Sequence, residues 1–172
     1  MKRKRNRKSP VCTICSALGT ALLIMLIVLC IPFTLPRFVE YQAYTVISGS
    51  MEPAIPVGSL VYIKEMEPEN VLKGDIIAYY GGRDSNAIIT HRVVENRVIM
   101  GEFITKGDAN RTEDMNPVSY DHFIGRVELH IPQLGVVAQI MTSQEGKIAA
   151  ACMIGLAVVL HLIAAVLGRE KA

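Results

Sequence analysis

The chain has 172 residues, 51% of them hydrophobic, and a formal net charge of +2. That length accommodates one domain of ordinary size. The near balance of charge gives no global electrostatic case for a nucleic-acid partner.

The charge is unevenly placed. "MKRKRNRK" puts six Lys/Arg into the first eight residues. An uncharged apolar stretch follows, from Val11 to Leu35. At about 1.5 Å per residue it is long enough to cross a hydrocarbon core of about 30 Å. It is longer than the apolar region of a typical cleaved leader, so an uncleaved anchor is expected. A second such stretch, Ile148 to Leu167, carries one polar interruption, His161. The basic block places the N-terminus in the cytoplasm by the positive-inside rule. The expected organisation is a basic cytoplasmic segment 1–10, a transmembrane helix 11–35, an extracytoplasmic domain 38–146, a second transmembrane helix 148–167 and a cytoplasmic tail 168–172. This describes a two-span protein of the plasma membrane, with the lipid bilayer as a partner.

Cys12, Cys15, Cys30 and Cys152 all lie in the apolar stretches. They make no disulfide framework for the exported part. Cys12 and Cys15 have C-x-x-C spacing without a second ligand pair, so membrane packing is their expected role.

Between the anchors the chain reads as β-rich. "YTVIS", "SLVYIKEM", "DIIAYYG", "AIITHRVVEN", "RVIMGEFITKG" and "HFIGRVELHI" are short runs rich in Val, Ile, Tyr and Phe. "PVGS", "EPEN", "KGD", "GGRDSN" and "NRTEDMNP" separate them with turn chemistry. The fold expected is mainly β, a small antiparallel barrel-like domain between two transmembrane helices. No long amphipathic helix is expected between the anchors.

Four polar clusters interrupt this pattern: Ser48-Gly49-Ser50-Met51-Glu52-Pro53, Thr90-His91-Arg92, Thr105 to Asn110 with Asp114 beyond it, and Gly125-Arg126. A serine becomes a nucleophile only beside a base. His91 stands in "AIITHRVV", where Val or Ile would be the default filler. A neutral imidazole accepts a proton without special tuning, whereas a lysine needs desolvation first. Asp108 or Asp114 could orient that imidazole. His122, His130 and His161 compete as bases, His161 from within an apolar stretch. Each cluster alone also reads as an ordinary turn or strand residue.

Taken together, "VISGSMEPAIPVGSLVYIK", "KGDIIAY", "ITHRVVE", "FITKGDANRTEDMNPV" and "IGRVELHIPQLG" resemble the ordered boxes of type I signal peptidases. The resemblance is to the ER-type branch, found in archaea, the eukaryotic ER and some spore-forming bacteria. It covers about Val46 to Gly135. It implies a small β peptidase domain, Ser50 as nucleophile and His91 as general base in place of a lysine. Lys73 and Lys106 are then structural. It implies importance for both Asp108 and Asp114, with Asp114 the favoured orienting residue. "GDAN" departs from the commoner "GDNN". By resemblance to the lysine-type enzymes, Ser48 supplies an oxyanion donor beside the Ser50 N–H. Gly49 lets the chain turn between the two serines.

The resemblance further implies precursors bearing signal peptides as substrates, cut after small residues, with no metal or organic cofactor. Val46, Ile47 and Met51 are the expected substrate-binding residues, pairing with an extended peptide. A non-catalytic membrane receptor or scaffold, or a protease with one dedicated client, are the alternatives.

Overall fold

The computed structural model describes residues 10–81 and 87–169. The basic block before Pro10, positions 82–86 of the expected "GGRDSN" turn and the last three residues lie outside them. The chain divides into two compact units, one formed by 1–32 with 140–172 and the other by 33–139.

The first unit is built on two helices, α1 (Pro10–Thr34) and α3 (Gln144–Arg169). Both are long and apolar enough to cross a membrane by length and composition. They run antiparallel, and their contact is made by small residues. The Cys12 thiol donates to the Ala164 carbonyl at 3.1 Å. Seven residues along, a Cβ built on Gly19 would lie 3.1 Å from the Ala157 carbonyl and 3.3 Å from the His161 ring. Such close backbone approach is how apolar helices gain van der Waals contact without a hydrophobic driving force between them.

The second unit is mainly β. Seven strands form one antiparallel half-barrel sheet: β1 (Tyr41–Thr45), β2 (Leu60–Lys64), β3 (Ile76–Tyr80), β4 (Ile88–Arg97), β5 (Glu102–Lys106), β6 (Val118–Ser119) and β7 (Phe123–Ile131). Their order is β1-β2-β7-β3-β4-β5-β6, so β1 and β6 are its edges. The expected barrel-like antiparallel fold is present, as an open sheet.

The sheet is packed on both faces. Successive residues of a strand point to opposite sides, and β3 divides its side chains accordingly. Ile76 and Ala78 pack with Met51, Ile55, Val61, Ile63 and Ile124. Ile77 and Tyr79 pack with Val71, Val93, Phe103 and Val118. At Gly125 of β7 any Cβ would collide with the Lys64 carbonyl of β2, so only glycine allows these strands to meet.

Three details differ from expectation. The run "RVIMGEFITKG" is two elements rather than one: Val98–Met100 forms a 3-10 turn, Gly101 takes φ 67°, and β5 begins at Glu102. A left-handed glycine at that point reverses the chain into a β4–β5 hairpin. The first strand starts at Tyr41 and ends at Thr45, so Val46–Ser48 lie beyond it. A short helix, α2 (Leu134–Thr142), and the two-residue β6 have no counterpart in the reading of the sequence.

Candidate active site

The nucleophile candidate sits where β1 gives out. Val46 N–H donates to the Ser59 carbonyl at 2.9 Å, and Gly58 N–H returns to the Val46 carbonyl at 2.9 Å. Beyond this pair the chain leaves the sheet and turns. Met51 is 2% exposed and Ile55 0%, and Ile55 N–H closes the turn on the Met51 carbonyl at 2.8 Å. Two buried apolar side chains therefore pin the segment that carries Ser50. Ser50 itself is half-buried and Ser48 is exposed.

The loop after β5 holds the other side. Ala109 N–H donates to the Ser50 carbonyl at 2.9 Å, and Asn110 N–H to the Gly107 carbonyl at 3.0 Å. A Cβ on Gly107 would lie 2.6 Å from the Ser50 carbonyl oxygen and 3.0 Å from His91 Nε2. The absent side chain of Gly107 thus lets the Ser50 main chain and the imidazole converge on one point.

His91 lies on β4 opposite Ile77 of β3 and is 8% exposed. Its Nδ1 is 2.6 Å from Asp114 Oδ2. Asp114 is fixed in turn by Thr105 of β5, whose hydroxyl donates to the same Oδ2 at 2.6 Å. The Thr105 carbonyl accepts the Asp114 N–H at 2.9 Å. The Tyr79 hydroxyl donates to Oδ2 at 3.3 Å and stands 3.3 Å from His91 Nδ1. Burial pushes the Tyr79 phenol up to about 12, with the Asp114 charge adding to it against the hydrogen bond shared with Thr105.

No protein-family model matches the chain. Over 88 residues it is 40% identical to signal peptidase I W of Bacillus subtilis (strain 168), covering 49% of this chain and 45% of that protein. It is 32% identical over 115 residues to the signal peptidase complex catalytic subunit SEC11C of Homo sapiens, covering 59% and 58%. With the signal peptidase complex catalytic subunit SEC11 of Eremothecium gossypii it shares 35% over 111 residues, covering 58% and 65%. Over these stretches the chain is similar to signal peptidases. It spans about half of the first relative's length and under two thirds of the others'.

The two aspartates have different partners. Asp108 does not meet His91. It accepts from Arg92 Nε at 2.8 Å and from the second guanidinium nitrogen at 2.6 Å. The third nitrogen of Arg92 donates to the Gly74 carbonyl at 2.7 Å. This fork holds Asp108 in the loop that binds Ser50, and the carboxylate raises the guanidinium pKa above its ordinary value.

A groove of about 340 Å³ runs beside Ser50. Tyr44 to Ser48, Ser50 and Met51 line it together with Ala87 to Thr90 at the start of β4. All three expected substrate contacts border it: Ile47 is 79% exposed, Val46 half-buried, and Met51 belongs to the floor. A larger cavity of about 780 Å³, bordered by Glu40, Glu65, Glu67 and Tyr120, contains none of the candidate residues. A third, of about 360 Å³, opens on His91 and Asp114 and is bordered by Tyr79, Tyr80 and His122. His130 lies on β7 opposite Val61, and His161 on α3 against Gly19.

Gly49 departs from expectation. A Cβ there would meet only the Glu52 carboxyl, at an ordinary 3.5 Å, and the backbone does not demand glycine. The turn is made by the Glu52 N–H to Gly49 carbonyl bond of 3.1 Å instead. Thr105, Arg92 and Tyr79 had no role assigned from sequence. The first two stand beside residues that the motifs mark, and Tyr79 is hidden in an apolar strand.

Proposed function

We propose that this chain is a membrane-bound signal peptidase I: a serine endopeptidase that removes N-terminal signal peptides from exported precursors, cutting after small residues. The observation that carries the reading is the 2.6 Å contact of His91 Nδ1 with Asp114 on an imidazole whose Nε2 faces the Ser50 turn across Gly107. An ionised Asp114 only accepts hydrogen bonds, so the proton belongs on Nδ1 and Nε2 is left as the acceptor.

Ser50 Oγ attacks the carbonyl before the cut while Nε2 takes its proton. The same proton passes to the leaving amine, and His91 then activates the water that hydrolyses the ester. Asp114 orients the imidazole and stabilises its charged form. The Ser50 N–H and the Ser48 hydroxyl are the proposed oxyanion donors, each worth about 10²–10³ in rate. An extended substrate lies along the groove between Val46–Ser48 and Ala87–Thr90, with Ile47 and Met51 shaping it. α1 and α3 are the proposed spans, with the basic N-terminus in the cytoplasm and 38–146 outside.

Co-expression with a secretory precursor, in cells depleted of other signal peptidases, tests this. Ser50→Ala and His91→Ala should abolish processing. His91→Lys should be mostly inactive, since the site is not built to hold an ammonium neutral. Continued processing by Ser50→Ala would sink the reading.

A further inference from the structure

We infer that Thr105 and Tyr79 are positioning residues, two buried hydroxyls that hold Asp114 Oδ2 on His91 Nδ1. The inference rests on the Ser50–His91 reading above and extends it to side chains outside the expected machinery.

The argument begins from what these positions would otherwise hold. Thr105 is 0% exposed and Tyr79 5% exposed. They occupy one sheet face, Thr105 opposite Val93 and Tyr79 opposite Ile89. Tyr79 packs with Ile77, Val93, Phe103 and Val118. Val and Phe are the near-isosteric apolar fillers for such a face. What Thr and Tyr add is one hydroxyl each, and both hydroxyls reach Asp114. Burying a hydroxyl is costly unless it is hydrogen-bonded. Here the compensation is charge-assisted.

A donor on Asp114 matters because the carboxylate has an alternative. The 360 Å³ cavity opens on Asp114 as well as on His91. A carboxylate held only by the imidazole could turn its oxygens toward that space. Thr105 prevents this at two points, donating its hydroxyl to Oδ2 at 2.6 Å and accepting the Asp114 N–H at 2.9 Å. Tyr79 acts more weakly, standing 3.3 Å from Oδ2, 3.3 Å from Nδ1 and 3.4 Å from the Thr105 hydroxyl. With its phenol pushed up to about 12, it remains a donor across the working range. The distances set the order of effect: Thr105 above Tyr79.

The two donors also draw charge from Asp114. Removing either leaves more negative charge on the carboxylate that faces the imidazole, favours the imidazolium and moves the acid limb of the pH–rate profile to higher pH. The other titratable or charged groups nearby are Tyr80 and His122, which border the cavity, Arg92 next to His91 on β4 with its partner Asp108 in the loop after β5, and Lys106 opposite Arg92 on β5. His122 is a second imidazole bordering the same cavity, so the profiles are compared in a His122→Gln background as well.

The test uses the full chain in detergent with a fluorogenic peptide spanning a signal-peptide cleavage site. Thr105→Val should lower kcat by about 10-fold or more and Tyr79→Phe by about 3-fold. KM should stay within about twofold, because neither residue touches substrate. Both acid limbs should move upward, and Thr105→Ser should restore kcat and the limb by returning the hydroxyl. If Ser50→Ala is inactive while Thr105→Val and Tyr79→Phe match the parent in kcat and acid limb, the inference is overturned and the Ser50–His91 reading survives. If Ser50→Ala still cleaves, that reading falls and the inference with it. Should Thr105→Val fail to fold, Tyr79→Phe, which keeps the buried ring, decides alone.

Discussion

At the residue scale, the two aspartates are separated by what they grip. Asp114 is bound to the imidazole and Asp108 to a guanidinium. Their substitutions should therefore differ in kind. Asp114→Asn leaves the shape but lets the imidazole take the wrong tautomer, and kcat in the peptide assay should drop by about 10²–10⁴. Asp108→Asn loosens the loop that binds the Ser50 carbonyl. It should raise KM and lower kcat together while leaving the acid limb in place. Gly107→Ala should be more damaging than Gly49→Ala. The first places a methyl 2.6 Å from the Ser50 carbonyl, the second only 3.5 Å from a movable carboxyl. Processing of a co-expressed precursor separates them. Tyr79 makes an alkaline prediction. Its phenol titrates near 10 when unfolded and near 12 when folded, so the folded state holds the proton more tightly. That contribution is full below pH 10 and fades as the pH rises through 12. Urea unfolding from pH 9 to 12 should show a shallower loss of stability for Tyr79→Phe than for the parent.

At the level of elements, strands were legible where apolar residues ran between turn signals. β2, β3 and β7 fall inside the runs expected for them. β4 carries its histidine inward, where "AIITHRVV" put one among Val and Ile. The division of "RVIMGEFITKG" is hidden in the sequence because three apolar residues, Val98–Met100, conceal the turn that Gly101 makes. α2 was missed because "LGVVAQIMT" has β-branched residues and no cap to mark its start. Pairing was beyond reach: β7 lies between β2 and β3, a long-range choice that no local pattern encodes. The same holds for the site. The sequence supplied Ser50, His91 and both aspartates, but the grip of each aspartate depends on which face its loop passes. Phe103 is the fully buried consequence of that packing. It is 0% exposed and stacks on Tyr120 at 4.8 Å and Phe123 at 5.3 Å between ring centres. Phe103→Ala should cost about 3–5 kcal/mol, readable as a lowered midpoint in urea.

For the whole molecule, the apolar helices at 10–34 and 144–169 were the easiest features to read, since length and lack of charge suffice. The proposed orientation is testable by labelling. Ile99 is fully exposed on the turn between β4 and β5. In intact cells, an Ile99→Cys variant should react with a membrane-impermeant maleimide, and Ser9→Cys only after lysis. The reverse pattern would overturn the orientation.

His91 and Arg92 are consecutive on β4, and a strand sends consecutive side chains to opposite faces. One therefore meets Asp114 and the other Asp108. The strand works as a reading frame. Deleting one residue between Ala87 and Thr90 while the rest of the sheet keeps its register would carry Arg92 into the place of the imidazole. A guanidinium does not release its proton in proteins. The sheet could keep its hydrogen bonds and the cell would inherit an inert fold, so frame rather than composition is what variation along β4 must preserve.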